Sequence, residues 1–260
     1  SRVMALGAEY LATGHYGRIE YNAGQGGYEL RKAVDARKDQ SYFLYSMRKE
    51  TLDRVLFPLG DLTKPQVREL ARRYRLNTAE KKESQDICFV PDGGYQEFLR
   101  QRVGEAAFTP GPFKNEQGEV VGEHKGIANY TVGQRDKLGI ALGSPVYVYK
   151  IEKETNTVYV GPLARLYSRG LVARQFNPLS MDIPKETITV EACIRYNAPP
   201  VKARLTALEA DAVRLDFDEP QKSVTPGQSV VFYRDDVVLG GAVIEDPVRC
   251  EAEEVTEVPK

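Results

Sequence analysis

The chain has 260 residues, a net charge of −1, 28% charged and 42% hydrophobic residues, which is typical of a soluble globular protein with two or three domains. Its three cysteines are too widely spaced for a disulfide framework, and two histidines are too few for a metal cluster. No apolar run has the length of a membrane span, and the cysteine usage favours a reducing, cytoplasmic setting. Because the net charge is only −1, any contact with a polyanion must come from local basic patches.

The N-terminal segment indicates an α/β domain. Ser1–Gly7 is typical of the end of an amphipathic helix with Gly7 as its C-cap, and Tyr10–Thr13 is predicted as a buried strand. A helix that leads directly into a central strand is typical of the middle of such a domain. We therefore expect that the chain lacks an N-terminal part of its first domain.

Gly14 and His15 follow the predicted strand in a turn. Ligands of open α/β sheets gather at the carboxyl ends of strands, where glycine lets the backbone approach a ligand closely. His15 is therefore a candidate contact residue, although a histidine that only caps the turn explains the pattern equally well.

The segment Lys38–Leu44 places a charge pair and an amide before an aromatic-rich helical start. Lys38 forms a basic cluster with Arg31, Lys32 and Arg37, which suits contacts with phosphate groups. A solvated face explains the same cluster without any ligand, and the residues alone favour that interpretation.

A second helix is predicted to begin at Thr63, with Gln66 completing a capping box and Pro65 in the first turn. Apolar residues recur at helical spacing from Val67 to Tyr74, so one face is predicted to pack inward while arginines occupy the remainder.

Cys88 lies in the segment Glu83–Val90 and is a candidate nucleophile. A thiol with a pKa of about 8.5 is only a few per cent thiolate at neutral pH, so a reactive cysteine needs cationic neighbours or a helix N-terminus. Two lysines nearby are balanced by two acidic residues. A small buried core cysteine is the alternative, and spacing alone favours it.

The chain becomes rich in glycine and proline from Phe108 to Gly143, and we predict domains at residues 1–96, 97–170 and 171–260. In the second, Gly133–Gly139 is a basic loop suited to a nucleic-acid backbone. Tyr147–Ile151 and Thr157–Val160 are predicted as a hairpin, so this domain is small and mostly β.

The last ninety residues predict a small antiparallel β-barrel or sandwich, because short strands recur at regular intervals. Turns are predicted at Asp218–Pro220, Thr225–Gly227 and Arg234–Asp236. Alternation along the first strand places Cys193 on the face opposite Val190 and Ala192, so we expect no chemical role for it. The predicted strands are Ile188–Tyr196, Val201–Leu208, Val213–Phe217, Ser229–Tyr233 and Val237–Ile244.

Eight motifs stand in one order along nearly the whole chain and together closely resemble the family of bacterial tRNA-specific 2-thiouridylases. No single motif is specific, but their order makes coincidence remote. They are Ala12–Tyr16, Lys38–Leu44, Leu59–Pro65, Ser84–Phe89, Tyr130–Arg135, Arg195–Tyr196, Thr225–Gln228 and Leu239–Gly241.

The resemblance implies an α/β plus β architecture: the remainder of a PP-loop, Rossmann-type domain of adenine-nucleotide hydrolase type, a small central β domain and a C-terminal antiparallel β-barrel. It implies an enzyme that uses ATP, with Mg²⁺, to adenylate the wobble uridine of tRNA and replaces its 2-oxygen with sulfur from a cysteine persulfide. The implied partners are tRNA and a sulfur-relay protein or cysteine desulfurase.

The resemblance also assigns site residues by position. Cys88 matches the persulfide cysteine, and Gly14 matches a residue next to ATP. The positions that match tRNA contacts are His15, Lys38, Asp39, Gln40, Arg195, Tyr196 and Gln228.

The chain departs from the family pattern at its start. Family members carry a serine- and glycine-rich pyrophosphate loop and a second catalytic cysteine ahead of the segment that begins here, and this sequence contains neither. We therefore expect the C-terminal two thirds of a complete enzyme, without ATP hydrolysis of its own. Two other functions stay open: a non-catalytic tRNA- or RNA-binding module, and another PP-loop ligase acting on a small metabolite.

Overall fold

The computed structural model describes residues 7–80, 100–102, 104–196, 198–209 and 211–250. Within them the chain forms two compact units, the first with residues 7–80, 170–219 and 226–247 and the second with 100–169, 220–225 and 248–250. The predicted helix end before Gly7 and the segment with Cys88 lie outside the described residues. No helix in the described part is long and apolar enough to span a membrane. The three predicted domain boundaries stay a prediction.

Strands dominate the described chain. They are β1 (Leu11–Ala12), β2 (Arg18–Asn22), β3 (Gly27–Arg31), β4 (Val55–Leu56), β5 (Gly111–Lys114), β6 (Val120–His124), β7 (Tyr147–Glu152), β8 (Thr157–Gly161), β9 (Tyr167–Pro178), β10 (Ile188–Cys193), β11 (Val201–Glu209), β12 (Ala212–Lys222), β13 (Ser229–Arg234) and β14 (Val237–Arg249). The α-helices are α1 (Ser41–Leu44) and α2 (Lys64–Arg73), and short 3₁₀ helices lie at Lys49–Arg54, Glu105–Phe108, Ile127–Asn129 and Leu163–Leu166.

Six strands of the first unit close into a barrel in the order β13, β10, β11, β12, β9 and β14, with β14 pairing back onto β13. The pairs of β10 with β11 and β13, and of β13 with β14, are antiparallel. Closure leaves these six strands without a free edge. Buried aliphatic side chains such as Leu205 and Leu215, which face each other across β11 and β12, form the interior. The predicted barrel is confirmed.

Two details of the predicted barrel were wrong. The segment Asp218–Pro220 lies inside β12 and is not a turn, because the fixed φ of proline is compatible with an extended chain. The sixth strand, β9, was missing from the prediction. Its alternation is masked by Gly170 in the strand and by exposed polar residues such as Arg174.

Elements from residues 7–80 pack onto the outside of this barrel. The hairpin of β2 and β3 extends the sheet, because Arg31 of β3 pairs with Val237 of β14. Leu30, Tyr42 and Leu52 form one buried cluster with barrel residues that include Val231 and Val238. Part of the outer face of the barrel is therefore buried under the N-terminal segment.

Ion pairs fix the hairpin to the turn between β13 and β14. Asp236 accepts hydrogen bonds from the guanidinium groups of Arg18 and Arg31, the latter at 2.9 Å. Arg31 also pairs with Glu29 at 2.8 Å, and the Glu29 carboxylate is almost fully buried. Lys32 donates to the Asp235 carbonyl oxygen at 2.9 Å. These charges are therefore used within the fold.

The predicted basic cluster is thereby divided. Arg31 is paired with acidic residues, and the Lys32 ammonium lies 3.8 Å from Glu191 and 4.4 Å from the centre of the Tyr233 ring. In the sequence, Arg31 and Lys32 are seen only as part of a basic cluster. Pairing of the hairpin with the barrel places the acidic residues Asp236 and Glu191 beside them. A surface made from all four cations is not formed.

The first strand differs from its prediction. β1 pairs in parallel with β4, as an α/β domain requires, but it contains two residues and Leu11 is 38% exposed. The prediction of a buried strand was wrong for these residues, since β4 on one side is its only partner strand in the described chain.

The start of α2 agrees with the sequence and its packing does not. The Thr63 backbone N–H donates to Gln66 Oε1 at 2.7 Å, which confirms the capping box. Asp35 Oδ2 accepts from the Lys64 N–H at 2.9 Å, and this bond lowers the pKa of the carboxyl. The apolar face is only half-buried, with Tyr74 68% exposed, so the prediction that it packs inward was wrong within the described residues.

The second unit contains a four-stranded sheet in the order β6, β5, β8 and β7, in which β5 and β8 are parallel. Its core is a cluster around Phe113, Val148 and Val158. The antiparallel pairing of β7 with β8 confirms the predicted hairpin. His124 is fully buried, donating from Nε2 to the Asn156 carbonyl oxygen at 2.9 Å and accepting at Nδ1 from the Gly126 N–H at 3.1 Å. The predicted small β region is confirmed.

Replacing Asp236 by asparagine tests how strongly the ion pairs hold the hairpin to the barrel. We expect Asp236→Asn to lower the free energy of unfolding by about 1–3 kcal/mol, because two partly buried guanidinium groups each lose one carboxylate partner. Urea denaturation measures this change. The control is Glu245→Gln, which removes one exposed pair with Arg174 and should cost less than about 1 kcal/mol. Equal effects of the two variants would contradict the account.

Candidate functional site

Gln40 joins two of the sequence-predicted segments. Its backbone N–H donates to the Tyr16 carbonyl oxygen at 2.8 Å, and its side-chain Oε1 accepts from the Tyr16 N–H at 2.9 Å. This paired contact holds residues 38–40 beside the turn that contains Gly14 and His15. The structure therefore brings these predicted residues together.

Asp39 uses both carboxylate oxygens within the fold. Oδ1 accepts from the Ala33 N–H at 2.8 Å, and Oδ2 accepts from the Ser41 hydroxyl at 2.6 Å. Ser41 is fully buried, and its hydroxyl also lies 3.2 Å from the Tyr233 hydroxyl of the barrel. A buried hydroxyl needs such partners, so Asp39 and Ser41 set the position of α1.

Two tyrosines near α1 attach it to the start of β13. The Tyr42 hydroxyl donates to the Ser229 carbonyl oxygen at 2.8 Å, and the Tyr45 hydroxyl lies 2.9 Å from Ser229 Oγ. Burial raises the pKa of Tyr42 to about 12, so its hydroxyl keeps the proton that it donates. Gln228 precedes Ser229 and is exposed, which places this predicted residue directly beside the attachment.

Tyr196 contacts α1 from the end of β10, which lies beside the start of β13. Its ring centre lies 4.5 Å from that of Phe43, with an angle of 42° between the ring planes. Arg195 is exposed next to it. The sequence analysis placed Phe43 and Ser41 only in an aromatic-rich motif and gave neither a role. The aromatic run was the available signal, but their partners are distant in sequence.

The turn after β1 is open to solvent. Gly14 and His15 are exposed, and a hydrogen bond of 2.9 Å joins His15 Nδ1 to Thr13 Oγ1. A Cβ atom at Gly14 would meet only Leu59 Cδ1 at 3.7 Å, an ordinary contact. Packing within the described chain therefore does not require glycine there. The prediction that Gly14 lies next to ATP stays a prediction.

The described cysteines are unsuited to sulfur chemistry. Cys193 and Cys250 are both buried. Burial raises the pKa of the Cys193 thiol to about 11, and Lys32 only partly offsets this. Packing of Tyr42 and Leu44 against the barrel covers this strand face. Cys88 lies outside the described residues, and no group of acidic, histidine or cysteine side chains in the described chain could hold a metal ion.

The basic loop of the second unit is exposed and locally braced. Gln134 accepts at Oε1 from the Thr131 N–H at 3.1 Å and donates from Nε2 to the Asp136 carbonyl oxygen at 3.0 Å. Arg135 and Lys137 are exposed on either side of Asp136 and form no ion pair with a described residue. They line an open cleft of ≈ 270 Å³. The loop therefore offers two cations to a ligand.

A larger cleft, of ≈ 700 Å³, lies along α2 and contains none of the predicted site residues. Its lining includes Leu70, Arg72 and Arg73. Arg72 is paired with Glu80 at 2.7 Å, so part of its charge is already neutralised. The larger of these two clefts is therefore not the one lined by predicted functional residues.

Comparison with protein families finds three matches along the chain. Residues 1–92 match a domain described as tRNA methyl transferase HUP domain, residues 96–162 match tRNA methyl transferase PRC-barrel domain, and residues 168–244 match aminomethyltransferase beta-barrel domain. These matches confirm the predicted architecture of a Rossmann-like domain, a central β domain and a C-terminal barrel.

Curated relatives are similar over nearly the whole chain. The tRNA-specific 2-thiouridylase MnmA of Carboxydothermus hydrogenoformans is 49% identical over 244 residues, which is 94% of this chain and 67% of the relative. The proteins of the same name from Pelotomaculum thermopropionicum and Halothermothrix orenii are 47% and 44% identical, with 94% of this chain and 66% and 68% of the relatives covered. The chain thus spans about two thirds of the length of these relatives.

The raised pKa of Cys193 predicts an unreactive thiol. At about pH 8 only about one molecule in a thousand carries the thiolate, so iodoacetamide should leave Cys193 unlabelled in the native chain. Labelling should rise with pH and become complete in concentrated guanidinium chloride. Peptide mass spectrometry measures the labelling. Native labelling as fast as that of the denatured chain would contradict the buried position.

Proposed function

The chain belongs to the family of tRNA-specific 2-thiouridylases, and we propose that it acts in the ATP-dependent replacement of the 2-oxygen of the tRNA wobble uridine by sulfur. The similarity over 94% of the chain carries this proposal. Two domain descriptions name a methyl transferase. We favour thiolation because the relatives that match all three regions together are named for it.

The chemistry explains why ATP and a cysteine are both needed. The C2 carbonyl of uracil is a poor electrophile, and transfer of AMP to its oxygen, with release of pyrophosphate, creates a leaving group. The outer sulfur of a persulfide on Cys88 then attacks C2, and AMP departs with the former oxygen. Release of the thiolated base from Cys88 breaks the S–S bond and needs a second thiol. Cys193 and Cys250 are buried, so neither fits that part.

We assign the nucleotide to the turn after β1. Gly14 exposes backbone at the carboxyl end of this strand, and among the described residues only Leu59 lies within 4 Å of where its Cβ would be. Mg²⁺ is expected to arrive with ATP and to bind chiefly its phosphates, as it does in many nucleotide sites.

We assign tRNA to the surface around α1. A base in an anticodon loop must leave its stack before an enzyme can reach C2, and aromatic and basic side chains support the displaced strand. Asp39 acts differently from its neighbours, because both of its carboxylate oxygens accept hydrogen bonds within the fold and its charge repels phosphate. It positions α1. The residues proposed to contact tRNA directly are His15, Lys38, Gln40, Arg195, Tyr196 and Gln228.

The proposal includes a donor and a location. A sulfur-relay protein or cysteine desulfurase supplies the persulfide sulfur, and the reaction takes place in the cytoplasm, where tRNA and ATP are both present.

The function is tested by incubating unmodified tRNA with the complete protein, ATP and a sulfur donor, followed by nucleoside mass spectrometry. Appearance of 2-thiouridine supports the proposal, whereas methylated uridine or unchanged uridine overturns it.

Cys88 is expected to be essential for transfer and dispensable for binding. In the complete protein, Cys88→Ser should abolish 2-thiouridine formation, because a hydroxyl cannot carry a persulfide. The affinity for tRNA should stay within about twofold of wild type, since a single exchange of sulfur for oxygen leaves the basic surface intact. Nucleoside mass spectrometry and filter binding give the two readings. Thiolation by the serine variant would remove Cys88 from the mechanism.

The basic loop is expected to contact the tRNA backbone. Replacing Arg135 and Lys137 by alanine should weaken binding about tenfold at low salt and reduce the slope of log K against log salt by about 1–2, because two phosphate contacts are lost. The matched control replaces Arg165 and Lys150 by alanine. It removes the same amount of positive charge, but these two cations are paired with Glu116 and Glu152. Binding measured across a salt series separates the outcomes. Equal slopes for both double variants would exclude the loop as a contact.

A further inference from the structure

Phe43 and Tyr196 form an exposed aromatic pair. Phe43 is 52% exposed and Tyr196 is 38% exposed, although the two rings contact each other at 4.5 Å between centres. Behind them lies the buried ring of Tyr42, 5.4 Å from Phe43 and 6.1 Å from Tyr196. Three rings from two distant parts of the chain therefore make one cluster with an open face.

The open face is held in place by its surroundings. The Phe43 N–H donates to the Gln40 carbonyl oxygen at 2.9 Å, and the Tyr42 hydroxyl is bonded to Ser229. Ser41, two residues before Phe43, is fixed between Asp39 and Tyr233. Because the rings are ordered before any ligand arrives, binding loses little side-chain entropy.

The neighbours of the pair favour a nucleic acid. Arg195 is exposed next to Tyr196 and forms no ion pair with a described residue. Gln40 directly precedes α1, and the exposed Gln228 directly precedes Ser229, to which Tyr42 is bonded. An aromatic face with a cation and amides beside it matches the combination that binds an unstacked base and its phosphate. A single exposed phenylalanine is common on protein surfaces. An exposed pair of aromatic rings beside a cation and amides indicates a binding site.

We propose that Phe43, together with Tyr196, is a stacking platform for an unpaired base of the bound tRNA. This inference rests on the proposed function and deepens it, because it adds Phe43 to the proposed tRNA contacts and gives Tyr196 a stacking role. Stacking is tolerant of base identity, since every base has a π face. The platform therefore contributes affinity and orientation, and it does not select a sequence.

Substitutions at Phe43 in the complete protein test the platform. Phe43→Ala and Phe43→Leu should weaken binding of tRNA about 5- to 100-fold, the range that loss of one stacked base produces, while Phe43→Trp should bind within about threefold of wild type. Leucine keeps apolar bulk without a π face, so it separates stacking from simple burial. The matched control is Tyr21→Ala, which removes another exposed aromatic from an edge-to-face pair with Tyr28.

The measurements distinguish this inference from the proposed function. Dissociation constants come from fluorescence anisotropy, and 2-aminopurine placed in turn at the anticodon-loop positions reports stacking as quenching. We expect quenching at one position with wild type and Phe43→Trp, and its loss with Phe43→Ala and Phe43→Leu. Wild-type protein that makes no 2-thiouridine would overturn the proposed function. If wild type is active, unchanged binding by Phe43→Ala would overturn the platform alone.

Two further outcomes also count against the platform. Equal weakening by Tyr21→Ala would mean that any exposed aromatic has this effect. Normal tRNA binding by Phe43→Ala with loss of sulfur uptake from the donor protein would make the surface a protein contact. Equal urea midpoints for wild type and the Phe43 variants establish that folding is unaffected, as the exposure of Phe43 leads us to expect.

Discussion

The buried Ser41 hydroxyl is the contact on which the site depends. It bonds to the Asp39 carboxylate and lies within reach of the Tyr233 hydroxyl, so a residue of the first segment and a residue of the barrel are joined through one polar group. A buried polar group that lost such partners would be costly. The bonds of Tyr42 and Tyr45 to Ser229 add two more directional constraints. Helix α1 therefore has one position on the barrel.

This constraint lets residues far apart in the chain act as one surface. Gln40 lies before α1, Tyr196 follows β10 and contacts Phe43 of α1, and Gln228 directly precedes Ser229, which accepts a hydrogen bond from Tyr42 of α1. A surface that is already ordered binds RNA with little loss of conformational freedom. Under the proposed function, the fold lets residues before α1 and residues of the barrel hold a substrate together.

Burial and ion pairing distinguish the side chains that are available to a ligand from those that are used within the fold. Arg31 and Lys32 are used within the fold, while Arg135 and Lys137 on the loop of the second unit have no acidic partner among the described residues. Cys193 is likewise withdrawn into a core. With a net charge of −1 the chain has no general attraction for RNA, so under the proposed function a few cations without an ion pair among the described residues decide where tRNA binds.

The sequence by itself determined five of the six barrel strands, the β7–β8 hairpin, the capping box at Thr63 and the family. These follow from alternation, turn residues and caps, which involve neighbours a few positions apart. It did not reveal that Asp218–Pro220 continues a strand, that α2 stays half-exposed, or that Phe43 meets Tyr196. Burial and charge pairing depend on partners such as Asp236 for Arg18, 218 positions away. Only the tertiary structure brings such residues together, because strand pairing around a closed barrel sets which distant segments become neighbours.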